Sequence, residues 1–299
     1  MQSINSLPQI VSLNGYSQIE SVLLVGCGGN GGHLAPHLCR FINVINQTRE
    51  ENDKIRLFFA DGDVVEQKNL LRQHFISQDI TKNKASVLAE RYSAAFGMQI
   101  GVVTKDLENI GDFGFFANSA RDLNRADLVI GCVDNVNSRK LINEWFTNSP
   151  NEDGFHWRSR FWIDAGNEER TGQVICAYSP SSRATNGSEQ INVFGELTQT
   201  EGEFSLPSVI EVYPELLSDE GVFNSELSCA ERAEAAPQNM QTNVTAATLI
   251  MNYAQKLILC EPLNSHGVEF SIDNRFSTKL NTLDNLSKVS EDRRRHWEK

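Results

Sequence analysis

The 299-residue chain lacks the paired CxxC spacing of a tetrathiolate zinc site: its six cysteines, Cys27, Cys39, Cys132, Cys176, Cys229 and Cys260, stand apart. Zinc is therefore not expected. Most of these thiols sit in apolar runs, where cysteine serves as a small buried hydrophobe. No run reaches the 18 or more apolar residues of a membrane span, and the N-terminal MQSINSLPQI has neither the charged start nor the apolar core of a signal peptide. A cytoplasmic location with no membrane partner is expected. Cations are also in short supply, with 27 Lys and Arg against 39 Asp and Glu and a formal net charge of −12. Sequence-independent affinity for nucleic acid comes from Lys and Arg neutralising phosphates, so nucleic acid is not an expected partner. There is no internal repeat.

With 40% hydrophobic residues the chain can bury a large core, and one elaborated α/β domain over residues 1–299 is favoured. Apolar runs of strand length, Ser21–Gly26, Ile55–Ala60, Gln99–Val103 and Asp127–Val133, alternate with helical periodicity at Leu34 to Ile45, Lys84–Phe96 and about Asn137–Phe146. Phe161–Asp164 and Gln173–Tyr178 read as two further strands around the turn AGNEERTG. This alternation predicts a Rossmann-like, mostly parallel sheet with flanking helices, the later strands antiparallel. Residues 179–239 break into Ser, Glu, Pro and Gly with short apolar fragments, an irregular crossover of a length that usually carries function. The longest helical signal, Met240–Leu259, follows it; Gly267–Ile272 adds a strand, and the charged tail from Lys288 reads as a solvated end.

The chemistry-bearing residues fall at predicted strand ends. The first strand feeds GCGGNG, Gly26 to Gly31, and then a helix, the context in which glycines let backbone approach a phosphate and helix N–H groups face the anion. The loop alone is a weak signal that any tight turn could satisfy. Asp61 ends the second strand and opens DGDVVEQKNLLRQ, which sets Asp61, Asp63, Asn69, Arg72 and Gln73 within thirteen residues. Lys84 follows, with Lys82 as competitor, and Asp134 ends the fourth strand. A site that attacks the α-phosphate of ATP needs ribose acceptors, cations for phosphate charge and a carboxylate for magnesium, and these residues supply all three types. Singly, Asp61 could cap a turn, Arg72 could form a surface ion pair, and Lys84 could simply start a helix.

GCGGNG, DGDVVEQKNLLRQ, KNKAS and DNVNSR, in that order from Gly26 to Arg139, together resemble the ThiF, MoeB and ubiquitin-activating enzyme superfamily. The second half resembles it more loosely, through IDAGNEERTGQV and the long helix, and Leu206 to Thr242 is similar to stand-alone bacterial ThiF-like proteins such as those of PRTRC clusters and ubiquitin-like conjugation operons. The resemblance implies that Gly26, Gly28, Gly29, Gly31 and Asn135 line a nucleotide site, that Asp61 and Asp63 serve the ribose or the metal, and that Asn69, Arg72 and Gln73 contact phosphates. It further implies that Lys84 stabilises the reacting phosphate and that Asp134 holds Mg2+.

The implied activity is ATP-dependent adenylation of the C-terminal carboxylate of a small ubiquitin-like or sulfur-carrier protein ending in glycine. Implied further partners are a conjugating enzyme or sulfur donor, within a homodimer. Cys229, in a polar segment with Arg232 nearby, is the candidate thioester cysteine, with Cys176 as runner-up. The chain departs from the family in lacking the zinc motif and in having no arginine before Arg40, where relatives often use one. An NAD-binding Rossmann oxidoreductase is the competing class, although its ribose-binding acid follows the glycine loop by about 20 residues and Asp61 comes later. A non-catalytic ThiF-like interaction module is the third.

Overall fold

The computed structural model describes residues 11–13, 18–114, 125–147, 159–179, 191–193, 205–217, 239–261, 263 and 265–280. The described strands are β1 (Val11–Leu13), β2 (Gln18–Val25), β3 (Arg56–Ala60), β4 (Ile100–Val103), β5 (Arg125–Gly131), β6 (Ser159–Asn167), β7 (Thr171–Ser179), β8 (Ile191–Val193), β9 (Ser265–Ser271) and β10 (Arg275–Leu280). Eight form one sheet in the order β10-β9-β7-β6-β5-β2-β3-β4, while β1 and β8 pair separately. β4, β3, β2, β5 and β6 run parallel, and β7, β9 and β10 complete the sheet antiparallel. The α/β, mostly parallel architecture is the one expected from the alternating runs.

Central position explains the composition of β2. A parallel strand with helices on both faces has no solvent side, and Ser21 to Val25 are all buried. On one face lie α1 (Gly29–Gln47), α2 (Lys84–Phe96) and the long α5 (Met240–Ile258). Leu34, Leu38 and Ile42 of α1, Leu88 of α2, and Ile250, Ala254 and Leu257 of α5 share that core. On the other face, α3 (Val136–Thr147) and the single-turn α4 (Val209–Val212) pack Ile142, Trp145, Phe146, Val209 and Ile210 against Leu23, Val129 and Trp162. α2 carries its own stop signals: the Asn83 side chain accepts from Ser86 N at its start, and Gly97 caps its end at φ +64°.

Three details differ from the sequence expectation. The turn AGNEERTG is mostly strand: β6 runs to Asn167, pairs Gly166 with Gln173 and Asn167 with Gly172, and leaves only residues 168–170 to turn. β10 was not expected, because RFSTKL has no apolar run; it forms as a sheet edge paired with β9 across a turn in which Asn274 takes φ +65°. The span 179–239 is not structureless throughout, since among its described residues Leu206 exchanges backbone hydrogen bonds with Tyr178 and is fully buried. No described helix is long and apolar enough to cross a membrane.

Candidate nucleotide site

The strand order reverses beside β2, because the chain goes from β2 out through β3 to β4 and returns to β5 on the other flank. At the carboxyl ends of the strands such a reversal opens a crevice. The loop after β2 fills its base. Gly26 has φ +88°, and a Cβ there would sit 2.5 Å from the carbonyl oxygen of Cys132, in the loop after β5. A Cβ on Gly31 would lie 1.9 Å from the Gly26 carbonyl oxygen, so Gly31 is demanded by loop closure itself. Gly29 and Gly28 face side chains instead: their Cβ positions would fall 2.7 Å from Asn243 Nδ2 and 3.4 Å from Gln73 Nε2. α1 begins at Gly29 without a side-chain cap, so its first N–H groups remain available to an anion.

Asp61 binds this loop to β3. Its Oδ2 accepts from Cys27 N at 2.6 Å and its Oδ1 from Asp63 N at 2.9 Å. Burial raises the Asp61 carboxyl above its ordinary pKa, against the opposing pull of Lys84 and the two N–H groups. Lys84 is buried, with its Nζ donating to Asp63 Oδ2 at 2.7 Å. Burial alone would lower its pKa, but Asp61, Asp63 and Asp134 outweigh that and hold the ammonium above its ordinary value. One lysine therefore faces three carboxylates from two strand ends. Lys82, its competitor in sequence, is exposed.

Asn83 had no role in the sequence argument, yet its side-chain amide donates to the carbonyls of Asp61 at 2.6 Å and Asp63 at 3.1 Å while its oxygen caps α2. It locks the acidic loop to the helix that carries Lys84. Asp134 is exposed in the loop after β5, and Asn135 beside it uses Oδ1 to accept from Ser138 N at 2.7 Å, capping α3. A single exposed carboxylate suits Mg2+, which keeps waters and takes much of its shell from phosphate. Among the described residues no cluster of three or more His, Cys, Asp or Glu side chains forms a protein-only metal cage.

The wall opposite is the 3-10 turn Gln67–Leu71 and the two residues after it. Asn69 is buried, and its Oδ1 accepts from Glu66 N at 2.7 Å, so this side chain shapes the turn. Gln73 reaches the glycine loop with its Oε1 buried and without a hydrogen-bond partner, a polar atom that a ligand can satisfy. Arg72 is half-buried, and its backbone carbonyl is held by His33 Nε2 at 3.3 Å and Asn243 Nδ2 at 3.4 Å. Arg40, the first arginine in the chain, lies about three turns along α1 and on the order of 17 Å from the loop, out of reach of the crevice.

A cleft of about 550 Å³ adjoins the crevice past the end of β6, lined in part by Arg139, Asn167, Gln173, Tyr213, Phe270 and Arg275. Its floor is set by a buried pair, with Arg139 Nε donating to Asp164 Oδ1 at 3.1 Å. Burial raises the Asp164 carboxyl despite the guanidinium. At the cleft mouth Tyr213 donates to Glu269 at 2.6 Å, and Lys279 stands over the Tyr213 ring. Asn167 belongs to both places: it lines the cleft and accepts from Asn30 of the glycine loop at 2.9 Å. Neither this cleft nor Asn243 carries a sequence signal, and Asn30 and Asn167, although they stand within GCGGNG and IDAGNEERTGQV, have no role there, since asparagines far apart in the chain form no motif together.

The thiol candidates separate by placement. Cys229 lies outside the described residues. Cys176 is fully buried in β7, and burial raises its thiol pKa, which suppresses the thiolate.

The comparisons with known proteins are consistent with this geometry. No curated protein is detectably similar in sequence to the chain. Among solved structures, E. coli MccB with ATP superposes with a TM-score of 0.52 at 19% identity, covering 88% of this chain and 64% of that one. The microcin C7 biosynthetic enzyme MccB in complex with N-formylated MccA gives 0.51 at 16% identity, covering 88% and 65%. Selenomethionine PaaA gives 0.50 at 12%, covering 88% and 64%. These likenesses establish a shared fold over somewhat less than two thirds of each relative's length. The family model reaches further into this chain, matching residues 4–283. A match of that extent, on a Rossmann-like fold with the glycine loop at its switch point, means that the chain belongs to the ThiF family.

Proposed function

We propose that the chain adenylates the C-terminal carboxylate of a small ubiquitin-like or sulfur-carrier protein, using ATP and Mg2+. The observation that carries this reading is Lys84, buried and charged, facing Asp61, Asp63 and Asp134 across from the glycine loop. When bound, ATP supplies the adenylyl group and a pyrophosphate leaving group. Gly28 and the first N–H groups of α1 receive phosphate oxygens, Asp61 orients the ribose hydroxyls, and Asn135 borders the site. Arg72, Gln73 and Lys84 meet negative charge as it develops, in a crevice where fixed charges act more strongly than in water. Asp134 is the metal ligand, with Asp63 alongside, and Asn69 acts by shaping the turn that presents Arg72. The cleft beyond Asn167 supports an incoming chain terminus, because Asn167 ties it to the glycine loop and Arg275 lines it with a cation for a carboxylate, while Arg139 is paired with Asp164 beneath it.

The test is pyrophosphate exchange with ATP, Mg2+ and a set of small proteins and peptides with free C-termini. Exchange is expected with a cognate substrate, and Arg72→Ala or Lys84→Ala should each lower it by at least about 100-fold, the loss seen on removing a charged transition-state contact. Exchange unchanged in both variants refutes the reading. One solved relative favours a peptide as the second substrate class: MccB bears the MccA peptide in its complexes. A response to peptides alone would assign that class here.

Transfer of the activated terminus to Cys229, with a conjugating enzyme or sulfur donor downstream and a homodimer as the working unit, forms the second part of the proposal. Cys229→Ala should leave pyrophosphate exchange intact and remove a reductant-sensitive adduct with the carrier; an adduct that persists excludes that thiol.

A further inference from the structure

Four residues distant in sequence form one hydrogen-bonded chain behind the glycine loop. Asn30 Nδ2 donates to Asn167 Oδ1 at 2.9 Å, Asn167 Nδ2 donates to Asn243 Oδ1 at 2.7 Å, and Asn243 Nδ2 donates to the backbone carbonyl of Arg72 at 3.4 Å. The links come from α1, the end of β6, α5 and the loop after the 3-10 turn. The direction of this chain is forced. A backbone carbonyl only accepts, so Asn243 must present its NH2 to Arg72; its oxygen then faces Asn167, whose oxygen in turn faces Asn30. The same logic fixes His33, whose Nε2 at 3.3 Å from that carbonyl must carry the proton.

Asn243 is fully buried and sits at the start of α5, held there by its own surroundings. Asn239 caps the helix by accepting from Gln241 N at 2.9 Å, and Thr242 Oγ1 donates to the Glu169 carbonyl at 2.7 Å, fastening the helix start to the β6–β7 turn. Only a glycine at 29 leaves room for the amide, since a Cβ there would meet its Nδ2, Cγ and Oδ1 at 2.7, 3.0 and 3.1 Å. Gly29 is thus required by a side chain, apart from any need of a phosphate. Asn30 and Asn243 are buried, and burying an amide is unfavourable unless it is paired, so the links between them favour this register over a slipped one. The segment it fixes carries Arg72 and Gln73.

We propose that Asn243 is a positioning residue: through the Arg72 carbonyl, with His33 as second clamp, it holds the Arg72 and Gln73 side chains where the nucleotide phosphates arrive. The assignment rests on the adenylation reading for its consequence in ATP binding, but the clamp itself is a property of the chain without ligand.

The experiment uses the full-length protein as wild type, Asn243→Ala, Asn243→Asp, Arg72→Ala and Asn243→Ala/Arg72→Ala. Asp is nearly isosteric and cannot donate to the carbonyl; Ala removes the link without burying a charge, should the Asp variant fold poorly. ATP affinity is read by calorimetry, and cleavage by trypsin after Arg72 is timed by mass spectrometry without nucleotide. Asn243→Ala should weaken ATP binding about 10-fold in the wild-type background and less than about 2-fold in the Arg72→Ala background, the non-additivity of two residues acting through one contact. It should also speed cleavage after Arg72 at least about 5-fold relative to cleavage after Arg91, a readout that general destabilisation would not single out. Equal losses of ATP affinity in both backgrounds, or unchanged relative cleavage after Arg72, overturn the proposal. If the wild type binds no ATP, the adenylation reading fails, while the trypsin ratio still decides whether the clamp exists.

Discussion

At the residue scale, the four glycines of GCGGNG serve different ends. Gly31 is set by the Gly26 carbonyl 1.9 Å from its absent Cβ, Gly29 by Asn243, and Gly28 by Gln73. The obstacle at Gly31 is backbone, which cannot swing aside, whereas those at Gly28 and Gly29 are side chains. Gly31→Ala should therefore prevent folding or lower the thermal midpoint by at least about 2 to 5 °C, an overpacking penalty of some 1 to 3 kcal/mol being a minimum for a backbone clash. Gly28→Ala, whose nearest neighbour at 3.4 Å is the end of the Gln73 side chain, should fold and lose nucleotide affinity instead. Thermal melts with and without ATP distinguish the two. Lys84 shows the same division: the motif predicts the residue, but only the fold surrounds it with Asp61, Asp63 and Asp134.

At the element scale, β6 joins the parallel and antiparallel parts of the sheet and carries Asp164 and Asn167 at its end. Asp164 is 1% exposed and Arg139 only 5%, so removing the guanidinium strands a carboxylate in the interior. Arg139→Met should lower unfolding stability by about 3 to 5 kcal/mol at pH 7.5. The pH dependence has a definite sign. Burial raises Asp164 above the ordinary 3.8, so the stability linked to it is full below that pH and is lost as pH climbs through the raised value. Without Arg139 that pKa moves higher still, and the deficit of Arg139→Met should shrink as pH falls from 7.5 to 5. Urea unfolding across that range measures it, and a deficit independent of pH would contradict the account.

Element boundaries were legible to different degrees for physical reasons. α2 has the limits that its apolar periodicity predicts, Lys84–Phe96, and Asn83 and Gly97 cap it there locally. Strands such as β2 and β5 declare themselves by continuous apolar runs that parallel burial demands. β10 and the extensions of β6 and β7 toward their turn owe their strand state to hairpin pairing across tight turns, which their own polar, run-free composition does not declare.

At the scale of the whole molecule, burial sorts the thiols. Cys27, Cys39 and Cys176 are inaccessible, and burial pushes the Cys39 thiol to about 12, whereas Cys260 is exposed at φ +54° after α5. Native alkylation with iodoacetamide at pH 8 should modify Cys260 and leave those three untouched until the protein is denatured, as read by peptide mass. Rapid native labelling of Cys27 would mean that the glycine loop opens in solution. The same global packing brings residues 30, 72, 167 and 243 together, a separation no sequence motif spans.

The strand and helix alternation, the glycine cradle and the identity of the charged residues at the strand ends are legible in the linear chain, because apolar periodicity and close-packed glycines act over a few neighbours. Three-dimensional packing alone settles which of those charges meet, how Lys84, which the motif favours over Lys82, comes to lie among the carboxylates, and that an amide chain from α5 reaches the Arg72 carbonyl. Such pairings arise where the sheet order reverses and distant strand ends converge. Their energies come from burial and from hydrogen bonds between segments that the linear chain keeps apart.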